Sequence, residues 1–166
     1  MRINVRSNLE YEVEDSPDGQ VFVLTGAINE NCIEKLDEIC DVAGDACSLH
    51  LKGISYINSI GIKNWIGFLD KLTKNRKIKF IKTSTPIIRQ LNMIPEIAKN
   101  SEILDFYGDF LCEDCGFEKS ILFDVTEGYD ALVSRSEGLK CEQCESELEM
   151  EESPEEFFCF LQHLDD

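Results

Sequence analysis

Basic residues are scarce in this 166-residue chain: 16 Lys and Arg stand against 33 Asp and Glu, a formal net charge of −17. The shortage lies in one half. Residues 1–100 carry 13 basic and 13 acidic side chains, whereas residues 101–166 carry 3 and 20, a net of −17. A phosphate backbone is held by clustered Lys and Arg. The second half offers only Lys119, Arg135 and Lys140, which excludes nucleic acid as its partner. Long apolar runs are missing too, although 43% of residues are apolar. No stretch approaches the roughly 20 residues of a membrane span. The start, Met1-Arg2-Ile3-Asn4-Val5-Arg6-Ser7-Asn8, lacks the apolar core of a signal peptide, so a reducing cytoplasm is expected. There are only two His, no phosphate-binding glycine loop, no nucleophile triad and no convergent His–acid pair. No enzyme is expected.

Cysteine, by contrast, is plentiful, with eight residues. Four of them form two Cys-x-x-Cys pairs, Cys112/Cys115 and Cys141/Cys144, with 25 residues between the pairs. Each pair places two thiolates on one tight turn, and two such knuckles facing one another make the tetrahedral cage that suits Zn2+. Two disulfides or four unlinked thiols are the alternatives, and a reducing compartment disfavours the first. Four sulfurs close a zinc site, so its expected role is structural rather than catalytic. Iron in the same cage, carrying electrons, is the competing reading. Cys112-Glu113-Asp114-Cys115-Gly116-Phe117 resembles a rubredoxin first knuckle, but Cys141-Glu142-Gln143-Cys144-Glu145 lacks the Pro and Gly usual in the second. Cys159 and His163 are spaced for a further ligand pair, yet Cys159 sits in the apolar run Phe157–Leu161 and reads as a core residue.

The length allows one ordinary domain plus a small one, expected at residues 1–100 and 101–166. In the first, Leu9, Tyr11 and Val13 alternate with Glu10, Glu12 and Glu14 as a half-buried strand. The turn Ser16-Pro17-Asp18-Gly19 leads to a second strand at Val21–Leu24. Asn31 and Glu34 suggest a capping box for a helix whose inner face is Cys32, Ile33, Leu36, Ile39, Cys40 and Ala43. A third strand holds Leu49 and Leu51, with His50 between them as a surface imidazole, and Cys47 as a core residue at its start. A helix carrying Ile62, Trp65, Ile66, Leu69 and Leu72 follows. A fourth strand spans Ile78–Ile81, and Thr85-Pro86 starts a third helix with Ile87, Ile88 and Leu91 inward. The order ββαβαβα predicts an α/β domain: a mixed sheet with helices on one face.

In the second half, Ile103–Tyr107 predicts a strand running into the first knuckle. Ile121, Phe123 and Val125 predict another, and Leu148 with Met150 a third. Ser153-Pro154-Glu155-Glu156 starts a terminal helix with Phe157, Phe160, Leu161 and Leu164 along one face. The acidic run Glu145–Glu156 is either a solvated face or a docking surface for a basic protein.

Over residues 9–95 the chain resembles the STAS family, the domain of bacterial anti-sigma-factor antagonists. The residues carrying the resemblance are Leu24-Thr25-Gly26, Tyr56-Ile57-Asn58-Ser59-Ile60-Gly61-Ile62 and Ser84-Thr85-Pro86. The family motif reads Asp-Ser-[Ser/Thr]-Gly-[Leu/Ile], between third strand and second helix. The resemblance implies a non-enzymatic regulatory module whose unphosphorylated form binds a protein partner such as an anti-sigma-type serine kinase. It places the contact at Asn58, Ser59, Ile60 and Gly61. Phosphorylation just before the motif glycine breaks the family complex, because a phosphate adds about −1.5 to −2 charge at a helix start. Here that position is Ile60, without a hydroxyl, and the family Asp is Asn58. Either the phospho-switch is lost, or Ser59 serves one position early, its hydroxyl turned by about 100°.

Overall fold

The computed structural model describes residues 8–164. Five strands form the first sheet: β1 (Glu10–Ser16), β2 (Gly19–Ile28), β3 (Ala46–Ile57), β4 (Lys77–Ile81) and β5 (Ser101–Ile103), in that spatial order. The β1–β2 pair is antiparallel and every later pair parallel. Each parallel crossover holds one α-helix: α1 (Ile33–Val42), α2 (Ser59–Thr73) and α3 (Thr85–Met93), the last followed by a 3-10 turn at Pro95–Ala98. Phe22, Leu24, Leu49, Leu51, Ile78 and Phe80 are buried on one face, beneath Leu36, Ile39, Trp65, Leu72, Ile87 and Ile88 of the helices. The chain is thus an α/β fold with a mixed sheet and helices on one face.

Cys32 and Cys47 are buried in this core and Cys40 is partly buried, with burial pushing all three thiols up, Cys47 to about 11. Three local expectations change. The cap of α1 is Cys32, with no side-chain bond. Asn29 Oδ1 takes the Asn31 N–H at 2.9 Å, so an Asx turn precedes the helix in place of a capping box. Ile33 is 52% exposed, off the face of Cys32, Leu36 and Ile39 that α1 turns to the core. His50 is only partly exposed, and its Nδ1 is enclosed without a protein partner.

The second sheet grows from the first. After β5 the strand breaks at Leu104 and resumes as β6 (Asp105–Leu111), central between β7 (Glu118–Asp124) and the two-residue β8 (Glu149–Met150). The single stretch expected at 103–107 is therefore shared between two sheets. The Leu104 N–H donates to Phe80 O at 2.9 Å and the Tyr107 N–H to Thr83 O at 2.8 Å, stitching the break to the first sheet. Val125 starts a 3-10 turn instead of extending β7, and α4 (Tyr129–Ser136) fills part of the interval between the knuckles.

The terminal segment is not one helix. A single turn, α5 (Pro154–Phe157), changes at Phe158 to a 3-10 turn over Cys159–His163. Across this change of winding Phe157, Phe158, Phe160 and Leu161 are all buried. The three phenylalanine rings close around Phe106, edge-to-face with Phe160 at 5.0 Å and with Phe158 at 5.9 Å; Phe123 meets Phe158 at 5.1 Å. Such pairs contribute roughly 0.5–1.5 kcal/mol each beyond burial.

α3 is the element both sheets share. Arg89 binds Glu152 at 2.9 Å and Glu151 at 3.0 Å, and Asn92 donates to Phe157 O at 2.9 Å. Burial acts to push the Glu152 carboxyl up, but the hydrogen bonds and charge of Arg89 prevail and hold it below the usual range.

Candidate functional site

The two knuckles have the same backbone. In the first, the Cys112 N–H donates to Phe117 O at 2.8 Å and the Gly116 N–H to Cys112 O at 2.8 Å. In the second, the Cys141 N–H donates to Ser146 O at 2.6 Å and the Glu145 N–H to Cys141 O at 2.9 Å. Gly116 and Glu145 hold equivalent left-handed positions, φ +80° and +64°. The second knuckle therefore makes with Glu the turn for which the first uses Gly. A left-handed non-glycine residue costs about 1–2 kcal/mol, and glycine forfeits about 0.5–1 kcal/mol through the unfolded chain. Glu145→Gly is expected to stabilise the metal-loaded protein by about 0.5–1 kcal/mol. Gly116→Ala should cost about 1 kcal/mol by strain alone, because a Cβ there meets nothing within 4 Å. Denaturant unfolding of both variants checks the pair of signs.

This geometry brings four thiols together. The Sγ atoms of Cys112, Cys115, Cys141 and Cys144 all lie within 4.8 Å of one another. Cys112 faces Cys144, and Cys115 faces Cys141, each at 3.5 Å. A tetrahedral ion with sulfur at about 2.3 Å sets sulfur separations of about 3.8 Å, so the donor set fits such an ion with small adjustment. Cys112 and Cys141 are buried on the core side, while Cys115 and Cys144 face solvent. The Gln143 N–H points at Cys141 Sγ, at 3.4 Å.

Hydrogen bonds from the Ser146 side chain and backbone, then from Cys112, pull the Cys144 thiol down to about 7. For Cys115, a hydrogen bond from the Phe117 backbone acts to lower the thiol. Desolvation and the thiols of Cys141, Cys144 and Cys112 prevail and push it up to about 12. A divalent ion replaces the shared protons when the thiolates bind it. Neither Cys159 nor His163 belongs to the group; Cys159 Sγ instead lies 3.8 Å from Gln162 Oε1.

The turn between β3 and α2 lies at the carboxyl ends of β2 and β3. Asn58 is the N-cap of α2, its Oδ1 accepting the Gly61 N–H at 2.8 Å while its backbone N–H donates to Ile28 O at 3.1 Å. Its Nδ2 donates to Glu30 Oε2 at 2.9 Å. The carboxylate near this helix start thus comes from the β2–α1 loop, and the capping residue itself is neutral, a partnership sequence spacing could not show. Gly61 is buried against the backbone of Ile28. Ser59 is exposed, and Ile60 is 53% exposed. The turn and the thiol cluster are built on different elements.

No family model matches the chain, and no curated protein matches it. Among solved structures, the chain is similar to an anti-sigma factor antagonist from Mycobacterium paratuberculosis, with a TM-score of 0.46 and 17% identity over 58% of this chain and 85% of that one.

Proposed function

We propose that this chain is a non-enzymatic regulatory module that binds another protein through the N-terminal turn of α2, with a structural zinc ion in the four-cysteine cage. One observation carries the binding reading. An apolar side chain, Ile60, is 53% exposed on a rigidly capped helix start, at the motif position that resembles the STAS phosphosite. A helix start presents unpaired N–H groups and partial positive charge, so a partner can read both shape and polarity there. By that resemblance the partner is a signalling protein of the serine-kinase, anti-sigma type, in a bacterial cytoplasm.

The phospho-switch is read as lost. Ile60 carries no hydroxyl, and the Ser59 hydroxyl projects from a different side of the helix. Zinc is favoured over iron because a closed cage of four thiolates is its common structural site, and a visible absorption band from ferric iron would reverse that choice. Nucleic acid is not the partner of the acidic half, where four thiolates around Zn2+ would add a further −2. No helix among the described residues is long and apolar enough to cross a membrane.

Hydrogen exchange tests the binding surface. With the natural partner added, amides of residues 57–62 should exchange more slowly than in the free chain. Slowing confined to other elements rules the surface out.

A further inference from the structure

The outer face of the three-stranded sheet carries a surface that the proposed function does not use. Leu111, in its central strand β6, is 43% exposed, and Leu122 of β7 is 38% exposed. Leu111 is the last residue of β6, and more than a third of its surface stays open to solvent.

An open groove of about 640 Å3 lies around Leu111, between the sheet and Arg89 of α3. Leu111 supplies its apolar floor, Met150 lies at its β8 edge with its side chain turned to the core-facing side of the sheet, and Asp109, Glu113, Glu118 and Glu149 form its rim. The two cations of the groove are already engaged, Arg89 with Glu151 and Glu152 and Lys119 with Glu142 at 3.1 Å. Glu113, Glu118 and Glu149 have no ion-pair partner among the described residues.

We infer that this groove docks a segment of another protein in which basic side chains alternate with apolar ones. Charge complementarity selects the occupant. Unpaired carboxylates around an apolar floor attract Lys or Arg, whose methylene stems also cover apolar surface. An extended segment places alternate side chains on one face, so its apolar residues reach Leu111 while the long Lys and Arg chains of the other face bend over the edges to meet the rim. A second copy of this chain is disfavoured, since each copy carries −17. An acidic surface likewise repels nucleic acid and anionic membranes. A polyamine would neutralise the rim but has no use for Leu111.

A short peptide alternating Lys and Leu, titrated into the full metal-loaded chain and followed by fluorescence anisotropy at physiological ionic strength, tests this. The Lys/Leu peptide should bind at least about tenfold more tightly than an all-Lys peptide or spermine. Leu111→Ser, and separately Glu118→Gln with Glu149→Gln, should each weaken it by about tenfold. Glu12→Gln with Glu14→Gln, on the exposed strand β1, should change nothing. Equal binding of the all-Lys peptide or spermine would show general charge attraction and overturn the inference. So would undiminished affinity in Leu111→Ser or in the Glu118/Glu149 double variant.

Discussion

Replacing Cys112 with Ser is expected to empty the metal site and release the C-terminal half, the largest effect of any single substitution here. Structural zinc in small thiolate sites has an apparent binding free energy of about 10–16 kcal/mol near neutral pH, and that energy is folding energy. Cys112 is fully buried and lies 3.5 Å from Cys144, so a hydroxyl there leaves three thiolates around a closed position. Wild-type protein should hold one zinc per chain by elemental analysis, and the variant almost none. Hydrogen exchange should then accelerate over residues 105–150, far more than over the five-stranded sheet, whose strands carry none of the four cysteines. The phenylalanine cluster around Phe106 should keep β6 and α5 partly protected. Cys32→Ser, at the start of α1 and outside the four-thiol group, should leave zinc content unchanged. Wild-type protein with iron as its main metal, or with no metal, would contradict this.

Gly61→Ala should cost at least about 3 kcal/mol, at the upper end of overpacking substitutions. A Cβ at this position would lie 1.9 Å from Ile28 O, 2.4 Å from Ile28 C and 2.8 Å from Asn29 N. All three are backbone atoms, so no side-chain rotation relieves the clash. Helix α2 must move away from the end of β2, and it carries Trp65, Phe68, Leu69 and Leu72 of the core. The same helix supplies its own control. Gly67 is exposed and a Cβ there meets nothing within 4 Å, so Gly67→Ala should stabilise the protein by about 1 kcal/mol through helix propensity. Opposite shifts of the denaturation midpoint are expected. Similar shifts for the two would mean that Gly61 serves no close approach.

The contrast between these glycines shows where sequence reading reaches its limit. Both lie in one predicted helix, and only the tertiary approach of β2 separates them. Alternation at Leu9–Val13 and the Pro17-Asp18 turn are local signals, and the strands and hairpin were legible from them. The third and fourth strands and the buried faces of α2 and α3 followed in the same way. The spacing of the two Cys-x-x-Cys pairs announced the four-thiol cluster because knuckle geometry is local too. The α1 cap was misjudged because Asn29, buried after a strand, closes its own turn before Asn31 can cap. Phe157, Phe160, Leu161 and Leu164 suggest one helical face, but the chain passes from α5 into 3-10 winding after Phe158, and Phe158 is buried as well. Helix α4 has a weak apolar stripe and was not anticipated. The Arg89 clamp on Glu151 and Glu152 joins positions more than sixty residues apart, and nothing in local spacing marks it. At the α2 turn, the motif's altered chemistry was readable, whereas the bond between Asn58 and Glu30 needed the fold.

The central claim is that a protein partner is bound at the N-terminal turn of α2, and one comparison tests it most directly. Affinity capture from the native cells, quantified by mass spectrometry, should be run with wild-type protein, Ile60→Asp and Val42→Asp. Ile60 and Val42 are equally exposed, 53% and 52%, so neither substitution removes core packing. They differ in place, since Val42 ends α1 whereas Ile60 begins α2. An Asp at position 60 puts a charge into the proposed interface, by repulsion or by unpaired burial. Wild type and Val42→Asp should capture the same protein in equal amount, and Ile60→Asp should lose it by about tenfold or more. Equal capture by Ile60→Asp would contradict the account.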